Sequence, residues 1–124
     1  MDTNQLTWWD LAARLDARTR LHSHRVADTL VDPLDRVTAL LHDVVEDGVA
    51  TLAEVRAAAG DEVAAAVDVL TRRSTETYAE YLDRVLLHDR ARRVKRADVR
   101  DNLNDRATLK PSLEKRYRRA LELL

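Results

Sequence analysis

The residues between Leu40 and Gly48 carry the side chains best suited to chemistry in this 124-residue chain. One imidazole, His42, and three carboxylates, Asp43, Glu46 and Asp47, occur close together in a segment that is otherwise apolar. In a helix, residues four apart lie one above the other, so His42 would stack on Glu46 and Asp43 on Asp47. Burying these groups is costly unless a bound metal ion compensates their charge, and the alternative is a solvated acidic helix end.

Two other segments could supply further ligands to such an ion. A metal site needs three or four ligands, and His or Asp residues flanked by core residues on neighbouring helices are the expected source. His22 lies one helical turn before the apolar Val26, and Asp98 lies one turn after Val94. Both residues are therefore candidate ligands.

The order of these motifs resembles the HD-domain superfamily of metal-dependent phosphohydrolases, whose ligands are a His, a His-Asp pair and a distant Asp. His22-Ser-x-x-Val26-Ala27 is similar to the helix of the first His, Leu41-His42-Asp43 to the signature pair, and Lys95-x-Ala97-Asp98-x-x-x-Asn102 to the helix of the last Asp. Glu46-Asp47 and the last of these motifs most resemble the small alarmone (ppGpp) hydrolases. The resemblance spans about residues 19 to 103, and its specificity comes from the joint occurrence of the motifs in this order.

The resemblance implies one divalent ion, with Mn²⁺ as the expected metal, while mixed nitrogen and oxygen ligands also suit Fe²⁺, Co²⁺ or Zn²⁺. The implied ligands are His22, His42, Asp43 and Asp98. Glu46 and Asp47 would accept a proton from the attacking water or orient it. The implied substrate contacts are Asn102 and Lys95, with Arg18 and Arg25 as candidates because helical spacing puts them beside His22.

The chain departs from the alarmone hydrolases in two places. Their basic, Gly- and Pro-containing loop before the first His is reduced here to Arg18-Thr19-Arg20-Leu21, and Asp101 stands where an aromatic residue or His usually precedes the Asn. Asp101 could add a carboxylate to the site or face water, and we expect it to face water, as charged side chains usually do.

The expected function is hydrolysis of a small phosphorylated nucleotide, an alarmone such as guanosine tetraphosphate being one candidate. Two alternatives stay open. One is another activity of the superfamily, such as a nucleoside 5′-monophosphatase or a phosphatase of another phosphorylated cofactor. The other is a non-catalytic nucleotide-binding module that keeps the scaffold.

Composition predicts a single all-α domain over residues 1–124, a compact HD-like bundle of about seven to eight helices. Hydrophobic residues make up 45% of the chain, and two Gly, two Pro and no sustained alternation leave little basis for a sheet. A net charge of −1 argues against bulk attraction to nucleic acid or membrane. The chain has no cysteine, no signal-like N-terminus and no apolar run of about 20 residues, so we expect a cytoplasmic protein. The oligomeric state stays open.

Capping signals predict the helix order. Helix one covers about Leu6 to Ala17, helix two about Thr19 to Val31, and helix three opens at Asp32-Pro33, carries His42 and Asp43 and ends at Gly48. Helix four opens at Thr51, helix five covers about Asp61 to Leu70, helix six opens at Thr77, helix seven covers about Ala91 to Asn104, and the last covers Pro111 to Leu124.

Several other features are interpreted as structural. His88-Asp89 is expected in an exposed turn, and His24 on the surface because it lies about 200° around the helix from His22. The basic runs at 90–96 and 115–119 are expected to be solvated faces paired with acids, and the alternative is that one or two members, Lys95 above all, bind phosphate. Trp8-Trp9 is expected to anchor helix one with one indole half exposed.

Overall fold

The computed structural model describes residues 6–105 and 109–124, and all regular structure within these ranges is α-helical. The helices are α1 Trp8–Ala12, α2 Ala17–Asp28, α3 Pro33–Leu41, α4 Leu52–Ala59, α5 Asp61–Leu70, α6 Tyr78–Leu86, α7 Asp89–Asn104 and α8 Pro111–Leu123. The predicted all-α class and number of helices are confirmed. In the same ranges, no helix has the length and apolar character needed to cross a membrane.

Local capping chemistry explains most of the helix starts. At Thr51 and Thr77 the side chain accepts a hydrogen bond from the third helical N–H, and the carboxylates of Glu54 and Glu80 accept one from the backbone N–H of the cap residue. Pro111 occupies the first helical position of α8, where its missing N–H costs nothing. The predicted starts of α4, α6 and α8 are confirmed.

The first helix is shorter than predicted. Asp16 adopts an extended backbone conformation and its side chain accepts a hydrogen bond from the Thr19 N–H at 2.9 Å, so it caps α2 instead of continuing α1. The turn before it is closed by the Leu15 N–H, which donates to Ala12 O at 3.2 Å. α2 also ends earlier than predicted, at Asp28.

The third helix ends at Leu41, so the prediction that His42 and Asp43 lie inside it is wrong. His42 is its C-cap, and its Nδ1 donates to Ala39 O at 2.5 Å. In a continuing α-helix that carbonyl would accept from the N–H of Asp43 instead. The chain goes on in tight turns that end at Gly48, whose positive φ of 74° suits a residue without Cβ.

α7 is the central helix, since it packs against α2, α3, α5, α6 and α8. One cluster of buried apolar residues surrounds it, including Val26, Val85, Val94 and Val99. A second cluster fills the space between α1, α3, α4 and α5. α2, α3 and α7 contact one another pairwise, and these three helices carry or precede the candidate ligands.

A buried ion pair fixes α3 against α7. Asp35 is 2% exposed and accepts hydrogen bonds from Arg90 Nε at 2.9 Å and from Arg93 Nε at 2.6 Å. Two members of the basic run at 90–96 are thus paired with an acid, as expected, but the acid comes from another helix. Since the start of α3 meets the start of α7 here, while the end of α3 meets Asp98 further along, the two helices run in the same direction.

We expect Asp35→Ala to lower the free energy of unfolding by about 3 kcal/mol, because it removes the buried acid shared by Arg90 and Arg93 and leaves the largely buried Arg90 only its longer contacts with Asp32 and Glu62. The measurement is urea unfolding followed by circular dichroism. Asp28→Ala is the matched control, since Asp28 forms a 3.8 Å exposed pair with Arg36, and its effect should stay within about 0.5 kcal/mol. Equal effects of the two substitutions would contradict the role given to Asp35.

Candidate metal centre

Three helices bring two imidazoles and one carboxylate together. His22 comes from α2, His42 from the C-terminal end of α3, and Asp98 from the middle of α7. One ligand atom from each lies within 4.8 Å of the other two, a spacing that could hold a metal ion. The two imidazole ring centres are 5.7 Å apart.

Both imidazoles turn the same nitrogen toward the same oxygen. His22 Nε2 lies 2.7 Å and His42 Nε2 lies 3.4 Å from Asp98 Oδ1. Each Nδ1 meets an acceptor on its other side, Asp101 Oδ2 at 2.6 Å for His22 and Ala39 O at 2.5 Å for His42. A neutral ring that donates to these acceptors through Nδ1 would keep a lone pair on Nε2, the atom that would bind a metal.

His42 Nε2 is a buried polar atom with no hydrogen-bond partner of good geometry. It lies 3.2 Å from Asp43 Oδ2 and 3.4 Å from Asp98 Oδ1, so it faces negative oxygen atoms without bonding well to either. Buried polar groups are nearly always satisfied, and an exception needs an explanation. A divalent ion between the nitrogen and these oxygens would satisfy all of them, so the residues fit a metal.

Asp98 is held in its ionised form by the cations around it. Burial would raise its pKa, but Lys95 and the two imidazoles hold the pKa of Asp98 well below its usual range. Lys95 Nζ donates to Oδ2 at 3.0 Å, which leaves Oδ1 for the imidazole side. Asp98 can therefore offer one oxygen to an ion while the other is neutralised.

The same carboxylates make His42 a strong base. Burial disfavours the imidazolium ion, yet Asp43 and Asp98, with the Ala39 carbonyl, raise the pKa of His42 to about 10. The pKa of His22 is also raised, because Asp98 and Asp101 outweigh its burial and the nearby His42. A proton and a metal ion therefore compete for the same nitrogen atoms near neutral pH.

Asp43, Glu46 and Asp47 lie beside this group on the turns after α3. Glu46 Oε1 accepts a hydrogen bond from the backbone N–H of Arg72 at 3.2 Å, which ties the turn to the segment after α5. Partial burial, with Asp43 and Asp16 nearby, raises the pKa of Asp47. The spacing of His42 and Glu46 predicts that they stack in a helix, but both residues lie in turns instead. Asp43 lies outside the closest group of three, although it is next to His42 Nε2.

A cavity of about 490 Å³ opens over the cluster. Every predicted site residue lines it except His42, which lies buried beneath. The lining predicted for the substrate consists of Arg18, Arg25, Lys95 and Asn102. Asp105 and Tyr117 also line it, although neither stands out in the sequence.

Asp101 does not face water, so that prediction is wrong. Its side chain is 16% exposed and accepts hydrogen bonds from His22 Nδ1 at 2.6 Å and from Arg25 Nε at 3.0 Å. The signal was present in the spacing, because Asp101 follows Asp98 by three residues and Arg25 follows His22 by three. α2 and α7 therefore contact each other at two successive helical turns, through His22 and Asp98 and through Arg25 and Asp101.

Most of the features interpreted as structural lie away from the cluster, although Lys95 of the basic run at 90–96 donates to Asp98 and Tyr117 of the second run lines the cavity. His24 is exposed, and His88 caps α7 by accepting a hydrogen bond from the Ala91 N–H at 3.1 Å. In the basic run of α8, Arg118 pairs with Glu114 at 3.0 Å. Trp9 is 57% exposed, as expected for one of the two indoles.

The chain matches no family model and no curated protein. The functional interpretation therefore depends on the motifs and on the geometry of the site.

Metal affinity should increase as the pH rises from about 6.5 toward 9, because the ion has to displace a proton from His42, whose pKa is about 10. In the protein without metal, the free energy of unfolding has the opposite dependence on pH. The raised pKa stabilises the fold fully below about pH 6.5, and this contribution is lost as the pH rises through about 10.

Calorimetric titration with Zn²⁺ in buffers of different ionisation enthalpy measures the protons released on metal binding. Thermal unfolding at several pH values, with and without a chelator, measures how the stability of the fold depends on pH. His24→Ala is the control and should leave proton release unchanged, because His24 is exposed. An affinity independent of pH would contradict the prediction.

Proposed function

We propose that this protein is a metal-dependent phosphohydrolase of the HD type that acts on a small phosphorylated nucleotide. The observation that carries the proposal is the approach of two imidazole Nε2 atoms to one carboxylate oxygen, Asp98 Oδ1, at 2.7 and 3.4 Å. The sequence order of these ligands, a His, a His-Asp pair and a distant Asp, supports the same family.

His22, His42 and Asp98 would hold the ion, with Asp43 as the fourth ligand. Two imidazoles and two carboxylates with room for other ligands suit Mn²⁺, the metal we propose, and also Fe²⁺, Co²⁺ or Zn²⁺. When bound, such an ion polarises a phosphoryl oxygen and makes a water molecule more acidic. Lys95 keeps Asp98 ionised and so preserves its charge for this role.

Glu46 and Asp47 would accept a proton from the attacking water or orient that water. The raised pKa of Asp47 makes it a better base than an ordinary aspartate, since basicity increases with pKa. Glu46 is fixed through Oε1 by the Arg72 N–H, which leaves its other oxygen able to orient water. A module that only binds nucleotides would need neither residue, so their presence in the cavity supports catalysis.

A second cavity supports a substrate larger than a simple phosphate ester. It measures about 670 Å³ and shares Arg18, Arg25 and Asp105 with the cavity over the cluster. A phosphoryl group near Asp98 would let the rest of a nucleotide extend past Arg18 into this space. Both an alarmone and a nucleoside 5′-monophosphate are compatible with it, and assays with each distinguish them.

The proposal separates metal binding from proton transfer in two variants. Asp43→Asn should lose metal and turnover together, and it is preferable to Asp98→Asn because it leaves no buried lysine without its acid. Glu46→Gln should keep the metal and slow hydrolysis by about 10²-fold, the usual contribution of a positioned acid or base.

The assay is chromatography of products from guanosine tetraphosphate and from nucleoside monophosphates with Mn²⁺, beside metal analysis of each variant. Glu122→Gln is the control, since Glu122 is exposed on α8, and it should behave as the wild type. Unchanged hydrolysis by Glu46→Gln would remove Glu46 from the mechanism. Nucleotide binding without any turnover by the wild type would show a binding module.

Discrimination between bases should be weak. The segment that would form a base-gripping loop is instead the first turn of α2, and strong rejection of a wrong base requires buried polar groups that it leaves unpaired. We expect guanosine and adenosine forms of the same substrate to have kcat/KM values within about tenfold, or ~1.4 kcal/mol. A strong preference would place recognition elsewhere, for example at Arg72 or Tyr78.

A further inference from the structure

Asp101 connects the candidate metal centre to a second layer of polar contacts. It lies one turn after Asp98 on α7 and faces α2, where its Oδ2 accepts a hydrogen bond from His22 Nδ1 at 2.6 Å. On its other side, Arg25 donates from Nε to Oδ1 at 3.0 Å and from Nη2 to Oδ2 at 3.0 Å. The contacts form a chain from Arg25 through Asp101 to His22 and on to Asp98.

Both nitrogens of the His22 ring meet an ionised carboxylate, Asp101 at Nδ1 and Asp98 at Nε2. An ion bound to Asp98 would leave Asp101 as the acceptor of the ring proton. A carboxylate paired with a guanidinium only accepts hydrogen bonds, so a neutral His22 beside that ion donates through Nδ1 and keeps its lone pair on Nε2. The opposite tautomer would donate from Nε2 to Asp98 Oδ1, 2.7 Å away, and would offer no lone pair to an ion. Asp101 therefore favours the form of His22 that can bind metal.

Arg25 fixes the plane of the Asp101 carboxylate. Two parallel N–H···O bonds from a guanidinium hold a carboxylate in one orientation, which a single contact from a flexible lysine would not. The other imidazole, His42, is oriented differently, by the backbone carbonyl of Ala39. Of these two imidazoles, His22 is the one whose Nδ1 meets a charged side chain, and such a partner makes an imidazole a stronger metal ligand than a neutral carbonyl does.

We propose that Asp101, held by Arg25, is a positioning residue that sets the orientation and tautomer of His22 for metal binding. The inference rests on the metal centre of the proposed function. The competing interpretation is an ion pair between Arg25 and Asp101 that only joins α2 to α7. Under that interpretation, Asp101→Asn would change stability without changing the metal ligand itself.

The test measures metal affinity and the His22 ring directly. Asp101→Asn is titrated with Zn²⁺ against a chromophoric chelator, and its affinity should fall by about 10- to 100-fold. Two-bond ¹H–¹⁵N correlation spectra of the zinc-loaded wild type should show His22 with a slowly exchanging proton on Nδ1. In Asp101→Asn that proton should exchange fast. Arg25→Gln keeps the Asp101 carboxylate but removes the guanidinium that holds it. Its zinc affinity should lie between those of the wild type and Asp101→Asn.

Asp28→Asn is the matched control, because it removes an ion pair of α2 that has no contact with the site, and it should match the wild type in both measurements. Asp101→Glu, which restores the charge, should recover part of the affinity; it replaces Asp101→Asn if that variant does not fold. If Asp101→Asn had the same zinc affinity and the same slow exchange of the Nδ1 proton as the wild type, the inference would be overturned and the proposed function would not. A wild type that binds no metal would overturn the proposed function as well.

Discussion

The burial of the Asp98 carboxylate is the constraint on which the rest of this structure depends. The residue is 4% exposed, and an ionised carboxylate at such a position has to be compensated by nearby cations or hydrogen bonds. Its compensation comes from Lys95 on the same helix and from imidazoles on two others. α2, α3 and α7 must therefore approach one another at this point, and the requirements of the fold and of the site coincide.

A second buried carboxylate reinforces the arrangement from the opposite direction. Asp35 on α3 meets arginines at the start of α7, whereas Asp98 on α7 meets His42 at the end of α3. Each helix thus supplies an acid to the other, at two separate levels. Two such contacts fix the position of α3 along α7 as well as its distance, which apolar packing alone specifies poorly. The placement of His42 depends on both.

The cluster can be neutralised in two ways, by protons or by a metal ion. With protonated imidazoles, the carboxylates are paired with positive charge, but His42 Nε2 has no hydrogen-bond partner. With a divalent ion, the same nitrogen gains a ligand bond and the protons leave. The cluster could hold an ion, and the unsatisfied His42 Nε2 is consistent with a binding role.

Much of the fold could be predicted from the sequence because its signals are local. The capping boxes at Thr51 and Thr77 involve residues three apart, and the all-α class follows from composition and periodicity. The end of α3 could not be predicted in the same way. His42 competes for the carbonyl of Ala39 only because its ring is buried at that position, which a helical pattern does not reveal.

In the candidate site, too, some residues could be predicted from local sequence and one could not. The residues of the cluster could be identified because their order along the chain carries the signal, and the structure brings His22, His42 and Asp98 together. The prediction for Asp101 is wrong because the general tendency of charged residues to be exposed takes no account of a partner 79 residues away, His22. Long-range pairs of this kind depend on how helices face each other, and this information is not local.

The pairing of Arg25 with Asp101 also limits how the proposed substrate can be held. The segment from Arg18 to Leu21 is the start of a helix capped by Asp16, so recognition has to come from side chains on rigid helices. Arg25 uses two of its nitrogen atoms on Asp101 and contributes less to a phosphate than a free arginine would. Arg18 is then the main cation shared by the two cavities. Asp101 therefore draws the positive charge of Arg25 toward His22.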